Sequence, residues 1–265
     1  MALIHVQNAK HRDKEITILV IMPLARYKSR KKSVTTIIDV VRPSLPAITN
    51  NTLPNHILGA TGNLGTQVVC QALEASYYVT ILVRNEKNLQ FKRHHLRNPN
   101  LVILVGSVLS RDDLDRAIRD QDAVINCLGS RIMASDINIC SKSQRIINQS
   151  MMKNKVRRLI VVGCGKNQNV SGFQKFFSWF TTKGKALADK ETQESIVKQD
   201  TEFIDWTIVR PAKLYDGELT NYRINEPLTM MKISRASVAH FILRELRTSL
   251  WLNKTPTISG FEKKS

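Results

Sequence analysis

Three glycines, Gly59, Gly62 and Gly65, carry the first chemistry legible in this chain, in the run Ile57-Leu58-Gly59-Ala60-Thr61-Gly62-Asn63-Leu64-Gly65. The spacing G-x-x-G-x-x-G stands between an apolar run and an amphipathic stretch. The first glycine permits a tight exit from a strand, the second lets backbone approach a pyrophosphate, and the third lets a helix pack closely on a sheet. Free N–H groups at the helix start then face the anion. The pattern predicts a dinucleotide site. Further on, Val83-Arg84-Asn85 closes a second apolar run. A carboxylate there would accept from the ribose hydroxyls of NAD, whereas Arg84 can pair with a 2′-phosphate, with Lys87 close by. NADP(H) is therefore expected over NAD(H).

Acid–base groups are scarce where they would be needed. A Tyr-x-x-x-Lys pair, in which the lysine lowers the tyrosine pKa, occurs at Tyr27 and Lys31, ahead of the glycine loop. It cannot serve a site after the fifth strand. After the glycine loop, histidines fall at His94, His95 and then His240, which reads as a structural residue of a helix over Ser234–Leu246. Cys164 reads as a small hydrophobe at a strand end. No residue is assigned as catalytic. This favours chemistry in which the cofactor does the work, hydride passing to a planar, electron-poor acceptor. Phe173, Phe176, Phe177, Trp179 and Phe180 form a dense aromatic group. It reads either as packing for a short helix, as a lid for a planar acceptor, or as a grip on a partner. Lys166, Lys175, Lys183 and Lys185 around it would suit an anionic acceptor.

The elements that position these residues follow from short apolar runs at Asn55–Leu58, Tyr78–Val83, Leu101–Val105, Ala123–Leu128, Leu159–Val162 and Trp206–Val209. Helical stretches alternate with them. Leu64, Val68, Val69, Ala72 and Leu73 mark one apolar face, and Leu114, Ala117 and Ile118 another. Ser110 with Asp113 is a capping-box-like start. Strands alternating with helices predict an α/β fold, a Rossmann-type doubly wound parallel sheet.

The 265 residues contain 42% hydrophobic and 23% charged residues, a composition suited to one globular domain with an appendage. Residues 1–54 read as a basic extension and linker, with prolines at Pro43, Pro46 and Pro54, and residues 55–265 as the dinucleotide-binding domain. The longest apolar run, Ile16 to Ala25, falls short of the roughly 20 residues of a membrane span. No small-residue cleavage site follows it, so a cytoplasmic protein is expected, with nuclear access through Lys28–Lys32. The four cysteines are widely spaced, which disfavours a disulfide framework or zinc site. A net charge of +18 predicts attraction to anions. No nucleic-acid-binding motif accompanies it. A monomer acting on a small molecule is expected.

With these residues in view, the chain resembles the atypical short-chain dehydrogenase relatives with an NAD(P)H-binding domain, most closely the flavin reductase/biliverdin-IXβ reductase type. The matching stretches are Gly59–Gly65, Val79–Arg84, Gly106–Leu109, Gln121–Ile125, Leu128–Arg131, Arg210-Pro211, Leu219-Thr220 and Ile233–Phe241. The resemblance implies that Thr61 to Leu64 hold the pyrophosphate and Arg84 the 2′-phosphate. Ser107 and Val108 would flank the adenine, and Leu128, Gly129 and Arg131 would lie along the nicotinamide. Pro211 would close over the ring, and Cys164 stands where relatives have Ser or Thr. It implies an NADPH-dependent reductase of flavins, biliverdin-like tetrapyrroles or quinones. The rival expectation is an NmrA-like regulator that binds the dinucleotide and a protein partner without turnover. Three departures bear on substrate: Ala212 replaces a histidine, Ser237 replaces the acid of the late Ser-Arg-x-Asp-Val-Ala motif, and Ser107 replaces the acid after Gly106.

Overall fold

Val79-Thr80-Ile81-Leu82-Val83 is buried at all five positions, as an unalternating β-branched run must be when both faces of a sheet are covered. The computed structural model describes residues 18–21, 61–129, 138–165, 182–225 and 232–260. Its elements run β1 (Ile18–Ile21), α1 (Asn63–Glu74), β2 (Val79–Val83), α2 (Arg93–Leu96), β3 (Leu101–Val105), α3 (Arg111–Ile118), β4 (Ala123–Asn126) and α4 (Ile139–Asn154). Then come β5 (Arg158–Val162), α5 (Thr182–Gln199), β6 (Asp205–Pro211), β7 (Lys213–Tyr215), β8 (Tyr222–Ile224), β9 (Lys232–Ser234), α6 (Arg235–Thr248) and β10 (Thr257–Gly260). Among the described residues eight strands form one sheet in the order β3-β2-β1-β4-β5-β6-β10-β8, parallel except for the β10–β8 pair. β7 and β9 form a separate parallel pair. This is the expected doubly wound α/β sheet.

Each face of the sheet carries its own core. Alternate strand residues Val79, Ile81, Val83, Ile125, Ile160 and Val209 pack against α1 and α6. Their neighbours Leu82, Val124, Leu159, Val161 and Ile208 pack against α3, α4 and α5. The period of two along each strand thus sends successive side chains into opposite layers. The expected apolar faces of α1 and α3 are buried as read. Ser110 caps α3 by accepting from the Asp113 N–H at 3.3 Å.

The structure adds a strand that the sequence reading did not name. The strand expected immediately before the glycine loop, Asn55–Leu58, lies outside the described residues. The central strand is instead Ile18–Ile21, drawn from the segment read as an extension. Ile18, Leu19 and Val20 register with Val79, Thr80 and Ile81 on one side and with Ala123, Val124 and Ile125 on the other. A strand flanked on both edges needs a continuous apolar run, which Ile-Leu-Val-Ile supplies and Asn-His-Ile-Leu does not. The remaining boundaries move little: β6 continues to Pro211, and β4 ends at Asn126 rather than Leu128.

Candidate functional site

The parallel strands point their carboxyl ends the same way; Arg84, Ser107-Val108, Leu128-Gly129 and Cys164 follow the ends of β2, β3, β4 and β5 in turn, and Pro211 ends β6. Thr61 is buried just ahead of α1, and Gly62 is its N-cap. The cap makes no side-chain hydrogen bond, and the first turn of α1 carries no acidic residue. The chain therefore fits a phosphate here: Gly62, the N-cap, has no side chain that could compete for the helix-start N–H groups. Leu64 and Gly65, in the first turn of α1, are buried. Asn63, the first helical residue, donates its Nδ2 to the Asp216 carboxylate, 3.3 Å from each oxygen. Gly59 and Arg131 lie outside the described residues, as does the aromatic group Phe173–Phe180.

Arg84 is exposed immediately past β2, one strand over from β1. Beyond β3, Gly106 is a position where size matters: an added Cβ would come within 2.6 Å of Asp113 Cγ and 2.9 Å of Leu82 Cδ1. The crowding arises because Asp113 Oδ2 accepts from the Ser107 N–H at 2.9 Å. Ser107 Oγ in turn accepts from the Leu109 N–H at 3.2 Å, and Val108 is buried. The acid missing after Gly106 is thus answered by Asp113 of α3, which holds the Ser107–Leu109 turn.

The ends of β4 and β5 are organised by residues that sequence reasoning missed. Asn126 Oδ1 accepts from the Leu128 N–H at 2.9 Å and shapes the turn to Gly129. Among the described residues, a Cβ at Gly129 would meet nothing within 4 Å. Lys190 of α5 donates to the Leu128 carbonyl, to the Val162 carbonyl at 2.7 Å and to Gln193 Oε1 at 3.0 Å. All three donors of its ammonium group are used, and β4 and β5 are tied together where a nicotinamide would lie. One turn earlier on the same helix stands Ala186, where a Tyr-x-x-x-Lys pair would need its tyrosine. Glu194, one turn later, pairs with Arg210 of β6 through two contacts, Nε to Oε1 at 3.2 Å and a closer one from Nη2 to Oε2. Gly163 leaves room for that pair, since a Cβ there would lie 2.5 Å from Glu194 Oε1. The signal in the sequence was the Lys190/Glu194 spacing of four, which puts both on one helix face.

Cys164 follows β5, half-buried; burial pushes its thiol pKa up, with Lys190 opposing. Cys127, fully buried at the end of β4, is pushed up to about 12 by burial against the same opposing charge. At both positions burial favours the neutral thiol over the thiolate. Pro211 closes β6, and Ala212 is buried behind it. His240 lies elsewhere, on α6, with Nδ1 3.0 Å from the Tyr222 hydroxyl. Burial lowers its pKa, with Arg244 adding to the effect, which agrees with a structural role.

Beside these strand ends, α4 and α5 border an open cleft of about 580 Å³. Lys142, Lys185, Ser141 and Thr192 line it, with Asp189 at its base. Asp189 accepts from the N–H groups of Cys140 at 2.9 Å and Ser141 at 3.0 Å, capping α4 from the neighbouring helix. Among the described residues no helix is long and apolar enough to cross a membrane, and no group of three His, Cys, Asp or Glu side chains is placed to hold a metal.

Comparison with known proteins agrees with this geometry. Residues 59–249 match the family described as NAD(P)H-binding. The photosystem II assembly factor Ycf39 of Trieres chinensis is 25% identical over 219 residues, 77% of this chain. The chain spans 63% of that relative's length. Among solved structures, a short-chain dehydrogenase/reductase from Veillonella parvula in complex with NADP superposes with a TM-score of 0.64 at 15% identity, covering 78% of this chain and 94% of its own. ChuY, described as an anaerobillin reductase of Escherichia coli O157:H7, gives 0.63 at 18% identity, covering 80% and 99%. At these identities the two structures speak for the fold alone.

Proposed function

Because the chain belongs to the NAD(P)H-binding family, we propose that it is an NADPH-dependent reductase delivering hydride to a planar acceptor. The observation that carries this reading is the placement of Arg84, Ser107-Val108, Leu128-Gly129 and Cys164 just beyond the carboxyl ends of β2, β3, β4 and β5, with Pro211 at the end of β6, where open α/β sheets bind dinucleotides. Gly62 to Leu64 would take the pyrophosphate on backbone N–H groups, and Arg84 the 2′-phosphate that favours NADPH. Ser107 and Val108 would border the adenine; Leu128, Gly129 and Pro211 would border the nicotinamide. When bound, the nicotinamide supplies the hydride. The protein's part is to hold the Leu128 and Val162 carbonyls through Lys190. With Ala186 one turn before Lys190, the proton comes from solvent rather than from a tyrosine. The cleft with Lys142 and Lys185 suits the anionic groups of a flavin phosphate or a tetrapyrrole propionate.

A second reading has its own support: the Ycf39 relative is named an assembly factor. On that reading the protein binds the dinucleotide and a protein partner without turnover. Calorimetric titration with NADPH and NADH at fixed salt, followed by assays with FMN, biliverdin and quinones, separates them. Tighter NADPH binding with oxidation of NADPH by an acceptor is expected. Binding without turnover would move the assignment to the regulator, and no binding of either nucleotide would overturn both.

A further inference from the structure

The run Ile233–Val238 is the motif that the cofactor reading leaves unexplained. Two of its serines have structural work. Ser234 caps α6, its Oγ accepting from the Ser237 N–H at 3.1 Å. Ser237 Oγ lies 2.9 Å from both the N–H and the carbonyl of Thr220, pinning the loop after β7. Arg235 does something else. Its Nη1 lies 2.7 Å from Asp216 Oδ1, and that carboxylate reaches Asn63 at the start of α1. Arg235, Asp216 and Asn63 thus form a chain from the first residue of α6 to the first residue of α1.

A carboxylate is an unexpected neighbour for a helix start that binds an anion, since like charges at this range repel. We propose that Arg235 is a positioning residue of the dinucleotide site, acting through Asp216. Asp216 brings a negative charge to the start of α1 through Asn63, and Arg235 neutralises Asp216 so that the pyrophosphate is not repelled. The Arg235 side chain is 21% exposed and that of Asp216 53%, so the pair is screened but close enough to the helix start to be felt. The inference rests on the dinucleotide reading above.

Calorimetric titration of NADPH into the full chain tests it, with wild type, R235Q, D216N and the R235Q/D216N double variant, each checked by thermal melting. R235Q should weaken NADPH about fivefold or more at low salt, and less as salt is raised. D216N should leave affinity within about twofold or tighten it, and adding it to R235Q should restore the D216N value. R235K, which keeps the charge, should stay near wild type and serves where R235Q fails to fold. Unchanged affinity in R235Q, loss of affinity in R235K, or a double variant as weak as R235Q would overturn the proposal alone. Wild type failing to bind NADPH would overturn it together with the dinucleotide reading.

Discussion

At the scale of single residues, the site is built by groups that serve the backbone. Lys190, Asn126 and Asp113 each hold a strand-end turn through carbonyl or N–H groups rather than facing a substrate. This suits a protein in which a cofactor carries the reaction and the chain supplies position. One carboxylate shows what such fixed charges do for stability. Asp115 is buried on α3; burial pushes its pKa up, but Lys153 at 2.6 Å and Arg111 at 3.1 Å outweigh this and lower it from 3.8 to about 2. A native pKa below the unfolded one gives stability that is fully present above about pH 4 and lost as pH falls towards 2. Asp115→Asn should therefore lower the melting temperature at pH 7, with the gap to wild type closing across that window. Melting curves from pH 7 to pH 2 check this.

At the scale of elements, α6 is more than a cover for the sheet. Glu245, only 1% exposed in its side chain, accepts on Oε1 from Arg158 of β5 at 2.9 Å, from Thr207 of β6 at 3.1 Å and from the Trp251 N–H at 3.0 Å. One carboxylate oxygen thus joins two adjacent strands and the turn after the helix. Burial lowers the Arg158 pKa to about 10, with Glu245 working against the shift. Removing one partner of such a pair leaves the other charge buried and uncompensated. Glu245→Ala should cost about 3–5 kcal/mol by denaturant unfolding. Arg158→Met combined with Glu245→Leu should recover much of that loss, because two apolar side chains replace two buried charges. A Glu245→Ala cost below about 1 kcal/mol would mean water already reaches the pair.

At the scale of the whole molecule, the central strand decides the prediction. β1 pairs with both β2 and β4, so the sheet is joined through Ile18–Ile21. A chain lacking residues 1–54 should fail to fold cooperatively, even though it keeps the glycine loop. Circular dichroism melting of the truncated chain tests this directly. A native-like transition would mean that another segment, Asn55–Leu58 being the natural candidate, can take the central position. The net charge of +18 acts at this same scale. It draws anions towards the molecule in general and does not choose among them, since long-range attraction is screened within about 10 Å at ordinary salt. On the proposed reading, selection is local, at Arg84 and the start of α1.

What the sequence determined by itself was the run of short apolar strands, the glycine turn opening α1, and the order of the strand-end residues. These are local signals: periodicity, glycine at a tight turn, and a cap such as Ser110 all act within a few positions. The strand edges drifted by only one or two residues for the same reason. Tertiary structure decided which apolar run became the central strand, because pairing on two edges rewards Ile-Leu-Val-Ile at Ile18–Ile21 from far along the chain. It also decided that Asp216 meets Asn63 across 153 positions, and that Lys190 finds the carbonyls of Leu128 and Val162. The short strands β7 to β10 were likewise invisible, being three or four residues long with no period to read. Contacts of this kind depend on where distant segments are brought together, and no local pattern encodes that.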